Sequence, residues 1–177
     1  MNKLILLAAV LAAPTASAGT IEGAAALTAT ATERSDDSAV FAGLDLGYRF
    51  TDQVGGYLRL NAGVGAERKR SLQALGAGVR LAYPLGAWRP SIRMGFVHQH
   101  EVGRDDLAAA ELLGYGEQID HRSGASMAVA ITRSFADYRY GQIYGGLELG
   151  GDVFANADPG PRAYLGGALF FGLTLDR

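Results

Sequence analysis

The sequence predicts an all-β protein, an eight-stranded antiparallel up-and-down transmembrane β-barrel, and three observations predict it. Beyond its first eighteen residues the chain alternates apolar and polar positions with a period of two almost throughout, as strands with one apolar face do. The 177 residues include 25 glycines but only two lysines, Lys3 and Lys69, where a domain bathed in water would cover its outside with lysine and glutamate. Short joints alternate with longer, charged ones, and aromatic residues gather beside the short set.

Residues 1 to 18 read as an export signal. Lys3 supplies the charged start, L-I-L-L-A-A-V-L-A-A an apolar core too short to span a bilayer, and A-S-A the cleavage site before Gly19. The domain expected is therefore residues 19 to 177, about 160 residues in one unit. A net charge of -2 carries no polyelectrolyte signature, so nucleic acid is not expected as a partner. The chain has no cysteine, which suits an exported protein that does without disulfides.

The strands follow in order. The first is I-E-G-A-A-A-L-T-A-T-A-T; the second, F-A-G-L-D-L-G-Y-R-F, sets Leu44, Leu46, Tyr48 and Phe50 against Gly43, Asp45, Gly47 and Arg49. The third opposes Leu58, Leu60, Ala62 and Val64 to Tyr57, Arg59, Asn61 and Gly63, and the fourth opposes Val79, Leu81 and Tyr83 to Gly78 and Arg80. Ile92, Met94 and Phe96 face away from Arg93 in the fifth, as Met127, Val129 and Ile131 do from Ser126 in the sixth. Ile143, Leu147 and Leu149 oppose Tyr144 and Glu148 in the seventh; Leu165, Leu169, Phe171 and Leu173 oppose Tyr164, Gly166 and Thr174 in the eighth.

Short joints are expected near Thr51 to Gln53, Leu85 to Ala87 and Phe135 to Arg139. The longer set is Glu33 to Ser38, Glu67 to Arg70, Val102 to Asp120 and Ala155 to Gly160, which treats Arg70 as an exposed loop residue. Tyr48, Phe50, Tyr83, Trp88, Phe135, Tyr138 and Tyr140 lie beside the short joints, as in the aromatic girdle of a membrane barrel. Within Val102 to Asp120, D-D-L-A-A-A-E-L-L-G reads as a two-turn helix capped by Asp105 or Asp106 and stopped by Gly114.

Eight strands enclose a space just wide enough for side chains. The polar face then fills it: Glu22, Asp45, Arg49, Arg59, Arg80, Arg93, Glu148 and Asp152 form an internal charge network, with glycines making room for the arginines. A soluble periplasmic barrel of lipocalin type alternates with the same period but keeps its apolar face inside, so alternation by itself leaves that alternative open.

This pattern, from Gly19 to Arg177, resembles the small eight-stranded outer-membrane barrels of Gram-negative bacteria. The resemblance implies a monomer among outer-membrane lipids and lipopolysaccharide, inserted by the barrel-assembly machinery, with no cofactor. Such proteins end on an aromatic residue that the machinery reads; this chain ends L-T-L-D-R, and G-G-A-L-F-F, residues 166 to 171, is the nearest equivalent.

The three histidines, His98, His100 and His121, flank the longest connection. The simplest antiparallel register sets Glu101 opposite Asp120, His100 opposite His121, Gln99 opposite Arg122 and His98 opposite Ser123, a slip by two residues being the alternative. Either register puts the histidines on the outward face at the extracellular rim, with Gln99 and Arg122 inside. The bland reading is a polar rim at headgroup level, meeting lipopolysaccharide phosphates and sugars. A second is a metal site, since alternate residues of a strand share a side and a third ligand comes from the neighbour, with Glu101 or Asp120 adding a carboxylate. A third is hydrolysis: H-R-S-G-A-S resembles the His-x-Ser motif of the lipid A 3-O-deacylases, eight-stranded barrels that act on their lipid-facing side. That resemblance implies His121 as base and Ser123 as nucleophile. The family's asparagine after the serine is Gly124 here and its orienting glutamate falls near Phe135, which leaves Glu101 or Asp120 as substitute acids. The rim is the reading expected to hold.

Overall fold

The computed structural model describes residues 19–33, 37–65, 70–103, 119–155 and 161–176. The export signal and the two-turn helix expected between Val102 and Asp120 lie outside them. Eight strands follow one another: β1 Thr20–Thr32, β2 Ser38–Arg49, β3 Val54–Gly65, β4 Arg70–Ala82, β5 Trp88–Gly103, β6 Asp120–Tyr138, β7 Gly141–Phe154 and β8 Ala163–Asp176. Each pairs antiparallel with its sequence neighbours, and β8 pairs with β1 from Thr20↔Asp176 to Thr32↔Tyr164, so the sheet closes into a barrel. Closure leaves no row of unpaired amides for lipid to meet, the condition for strands to cross a bilayer.

The two faces are opposite in kind to those of a soluble barrel. Leu27, Leu44, Leu60, Leu149, Leu165 and Leu169 are all exposed on the outside, as are Met94, Met127, Phe96 and Phe171. Glu22, Arg93 and Glu148 are buried inside. A water-soluble protein of this size does not expose a continuous apolar belt, and the lipocalin-type alternative is thereby overturned. The belt is a surface for lipid.

At the end of the barrel with short turns the predicted girdle is in place, for Tyr48, Phe50, Tyr83, Trp88, Phe135, Tyr138 and Tyr140 are all exposed. The first turn is built on Thr51, whose Oγ1 accepts hydrogen bonds from the Gln53 and Val54 amides at 3.2 and 3.0 Å. The second turns through Gly86, whose φ of 60° favours a residue without Cβ, and is pinned by paired amide bonds between Leu85 and Trp88. The third differs from expectation. β6 runs on to Tyr138 and the chain reverses at Arg139 and Tyr140, because Phe135 is a bulge: Ser134 faces Tyr144 and Ala136 faces Ile143, which leaves Phe135 as an extra residue. One inserted residue breaks the period of two, and the sequence there looks like a turn.

The interior charges sort into layers. Nearest the turns, Glu22 holds Arg49 at 2.8 Å, contacts Arg80 and lies 3.7 Å from Arg89. Gly47 makes the room, since a Cβ there would stand 3.0 Å from the Arg80 guanidinium and 3.2 Å from the Glu22 carboxylate. In the middle, Arg59 forms a fork on Asp45, both bonds 2.5 Å, and donates to Glu148 at 2.8 Å; Arg93 donates to Glu148 at 2.5 Å and lies 3.6 Å from Asp45. Arg93 also stacks on Tyr57, 4.7 Å from the ring centre. Asp152 faces the same space but takes a hydrogen bond from Ser126 and, among the described residues, joins no ion pair.

Candidate functional site

The loop end of β5 and β6 carries the residues singled out by sequence, and the paired register is the simplest one: Glu101↔Asp120, His100↔His121, Gln99↔Arg122 and His98↔Ser123. Alternation then sends adjacent residues to opposite sides of the wall. His98, His100, His121 and Ser123 go outward, while Gln99, Glu101 and Arg122 go inward and are buried.

Inside, these residues close the barrel's loop end. Glu101 binds Arg70 at 2.6 Å and Arg122 at 3.1 Å, and Arg70 also pairs with Asp37. Arg122 is among the most deeply buried side chains, donating to the Tyr164 hydroxyl at 3.2 Å and to the Pro161 carbonyl, with its guanidinium 4.6 Å from the centre of the Phe154 ring. Leu72, Gln99 and Pro161 are fully buried at the same end. Arg70 is thus a buried strand residue and not the exposed loop residue expected from E-R-K-R. Its place was readable by continuing the alternation of Leu72, Ala74 and Gly76 back by one step.

Glu101 is on the wrong side of the sheet to serve the outward histidines. As the expected metal carboxylate or catalytic acid it is corrected: its oxygens are taken by Arg70 and Arg122 inside the barrel. Asp120 is exposed and pairs with Glu101 in register, hence on the same inward-facing set of positions. The other acid position suggested by resemblance holds Phe135, exposed in the aromatic girdle at the far end of β6.

Outside, the histidines converge. His98 Nε2 and His100 Nε2 are 2.9 Å apart, and His98 Nδ1 shares a hydrogen bond of 2.8 Å with Ser123 Oγ. Ring centres are 4.8 Å apart for His98 and His100, 4.5 Å for His100 and His121, and 5.7 Å for His98 and His121. The strand pairing explains this: His100 and His121 are direct partners, and His98 is one outward step below. Ser123 contacts His98 across the strands, where the resemblance to the deacylases would have coupled it to His121 two residues away on its own strand.

Height follows from β5 itself. From Trp88 in the girdle to His98 is ten steps, which at about 3.3 Å each and a tilt of about 40° rises about 25 Å, the height of a barrel's apolar band. The cluster therefore stands at the outer edge of the belt. Leading to it is a shallow apolar trough in which Ala25, Ala42 and Ala62 lie low between Leu44, Leu60 and Leu75, with His98 and His100 at one end.

No protein-family model and no curated protein matches this chain. Among solved structures it is similar to Neisserial surface protein A, at 12% identity over 93% of this chain and 100% of that one, with a TM-score of 0.62. It is also similar to the outer membrane protein OprG of Pseudomonas aeruginosa, at 10% identity over 91% of this chain and 96% of that one, with a TM-score of 0.51. At such identities the likeness is one of fold: the chain has the fold of the small eight-stranded outer-membrane barrels of Gram-negative bacteria.

Proposed function

We propose that this chain, having that fold, resides in the outer membrane as a monomeric, closed barrel whose working surface is its extracellular rim among lipopolysaccharide headgroups. Its interior carries this reading, because ion pairs occupy the cross-section at successive heights and Arg122, Leu72 and Gln99 fill it at the loop end. A lumen so filled does not conduct, and what remains for such a protein is what its outside does. Cleavage of residues 1 to 18 and insertion by the barrel-assembly machinery, with G-G-A-L-F-F as the segment read, belong to the same proposal. The test is fractionation with the outer membrane, slower or faster gel migration before and after boiling, and planar-bilayer recording. Recovery as a soluble periplasmic protein, or discrete conductance steps from the purified barrel, would refute it.

A second reading, hydrolysis of a lipid ester in the outer leaflet, is favoured by one contact, the 2.8 Å hydrogen bond between His98 and Ser123 on the lipid-facing side. In this form His98 replaces His121 as the base, Ser123 is the nucleophile, and the trough ending at His98 would seat an acyl chain. Mass spectra of lipid A from cells with the native gene and with Ser123→Ala decide it. Loss of one acyl chain with the native gene only is the expected signature, and identical spectra would end this reading.

A further inference from the structure

We propose that His98, His100 and His121 form a binding site for a divalent transition-metal ion of the zinc class, held on the outer face of the barrel between β5 and β6. Three nitrogens, one from each ring, lie within 4.8 Å of one another. Zinc bound to imidazole at about 2.0 to 2.1 Å in a tetrahedral arrangement needs its nitrogens about 3.3 Å apart. The closest pair here, His98 Nε2 and His100 Nε2 at 2.9 Å, already brackets such a position, and side-chain rotation on an open face supplies the rest.

Ser123 makes the arrangement more than a coincidence of strand spacing. A ligating histidine is oriented by a hydrogen bond from its other ring nitrogen, which fixes the tautomer. A metal held at His98 Nε2, the atom that points at His100, requires the ring hydrogen on Nδ1, and Ser123 Oγ stands 2.8 Å from that nitrogen to accept it. His100 and His121 are held together by the backbone, as direct cross-strand partners.

The surroundings select the ion. Of the two carboxylates next to the histidines in sequence, Glu101 is committed to Arg70 and Arg122 on the other side of the wall and Asp120 shares its inward-facing parity, so among the described residues the site offers imidazole nitrogen. Such a donor set suits zinc, copper or nickel and is poor for magnesium or calcium, which require oxygen. Three protein ligands leave a fourth position open toward the exterior, where water or a phosphate oxygen can sit. Bound there, the ion would tie β5 to β6 just where β6 has passed the last residue of β7, since Gly124↔Phe154 is the final pair of that interface.

The experiment uses the full mature chain without a histidine tag, refolded in detergent, with zinc chloride as the probe and magnesium chloride as the control. Calorimetry should give one zinc ion per chain and no magnesium response, and cobalt should develop the visible absorption of a tetrahedral nitrogen site. His98→Asn, His100→Asn and His121→Asn combined should abolish both signals while heat-modifiable migration shows the barrel still folded. Ser123→Ala should keep the stoichiometry but weaken zinc binding about 10- to 100-fold. If the triple variant does not fold, His121→Asn alone, at an exposed position, decides the matter and should weaken binding at least about tenfold. Absence of saturable zinc binding by the native barrel, or undiminished binding by the folded triple variant, would overturn the proposal.

Discussion

Replacing Glu148 by leucine should destabilise the barrel by about 3 to 5 kcal/mol, the cost of stranding a buried charge when its partner is removed. Glu148 is buried, accepts from Arg59 at 2.8 Å and from Arg93 at 2.5 Å, and with Asp45 supplies the two carboxylates that bridge the two guanidiniums of the middle layer. Without it, Asp45 is the one carboxylate left within ion-pair distance of both arginines, and the layer loses half of its bridging acid. Each lost contact is worth about 4 kcal/mol at an effective dielectric constant of 20, but the carboxylate's desolvation cost also disappears, so the net figure falls below the gross sum. The assay is urea unfolding in detergent or lipid vesicles, followed by heat-modifiable migration. With a slope of about 1 to 3 kcal/mol per molar, the midpoint should fall by at least about 1 M. Arg93→Leu added to Glu148→Leu removes both members of one pair and leaves Arg59 on Asp45, so the double variant should be more stable than the sum of the two losses by at least about 2 kcal/mol. Arg139→Leu, at the exposed turn, should leave the midpoint unchanged and serves as the control. An additive double variant, or a native midpoint for Glu148→Leu, would refute the account of the interior.

Two further outcomes are expected from positions where shape and polarity leave little choice. Gly78→Ala should lower the unfolding midpoint and the folding yield, because a Cβ there would stand 2.2 Å from the Met94 carbonyl oxygen and 2.6 Å from the Gly95 Cα, both backbone atoms of the neighbouring strand; Gly23→Ala, with nothing within 4 Å, should be silent in the same assay. Arg133→Glu should reduce insertion into anionic vesicles more than into neutral ones, since Arg133 stands in the girdle with its guanidinium 5.3 Å from the Trp88 ring and 6.0 Å from Phe135, where a cation meets lipid phosphate; equal insertion into both would remove Arg133 from that role.

Most of the barrel was legible because a period of two, once both faces are read, specifies strand, side and register together. The pairing of His100 with His121 is an example, for a slip of one residue would have put Gln99 and Arg122 into lipid. What escaped the sequence did so for identifiable reasons. Phe135 shifts the period by one, and nothing in S-F-A-D announces a bulge. Arg70 ends a basic run, E-R-K-R, whose composition suggests a solvated loop, yet the strand begins on it and turns it inward. Asp152 has the right parity for the charge network, but parity does not give distance, and its hydrogen bond comes from Ser126. Glu101 was misplaced by proximity in sequence to the histidines, where only its odd position relative to theirs mattered. The contact of Ser123 with His98 needed coordinates, because register sets the two positions opposite one another but does not fix how the ring and the hydroxyl are turned.

Thr20 and Asp176 face each other across the seam between β1 and β8, joined by a side-chain hydrogen bond of 3.0 Å although 156 positions separate them in the chain. A ring joined in this way has no privileged starting point. A short peptide could link Thr20 to Asp176 at the short-turn end of the barrel, and the chain could be opened instead at Arg139 and Tyr140, leaving every strand between its present two neighbours. Such a circular permutant would keep the same ladder of pairs and so nearly the same stability, because loop-closure entropy changes slowly with length. Its kinetics would differ. In the native order the β1 to β8 pairs span almost the whole sequence and must wait for the last strand, whereas the permutant makes them local and moves the late closure to β6 and β7. The order of the strands along the chain thus governs how fast the ring closes, and the ring itself governs how firmly it stays closed.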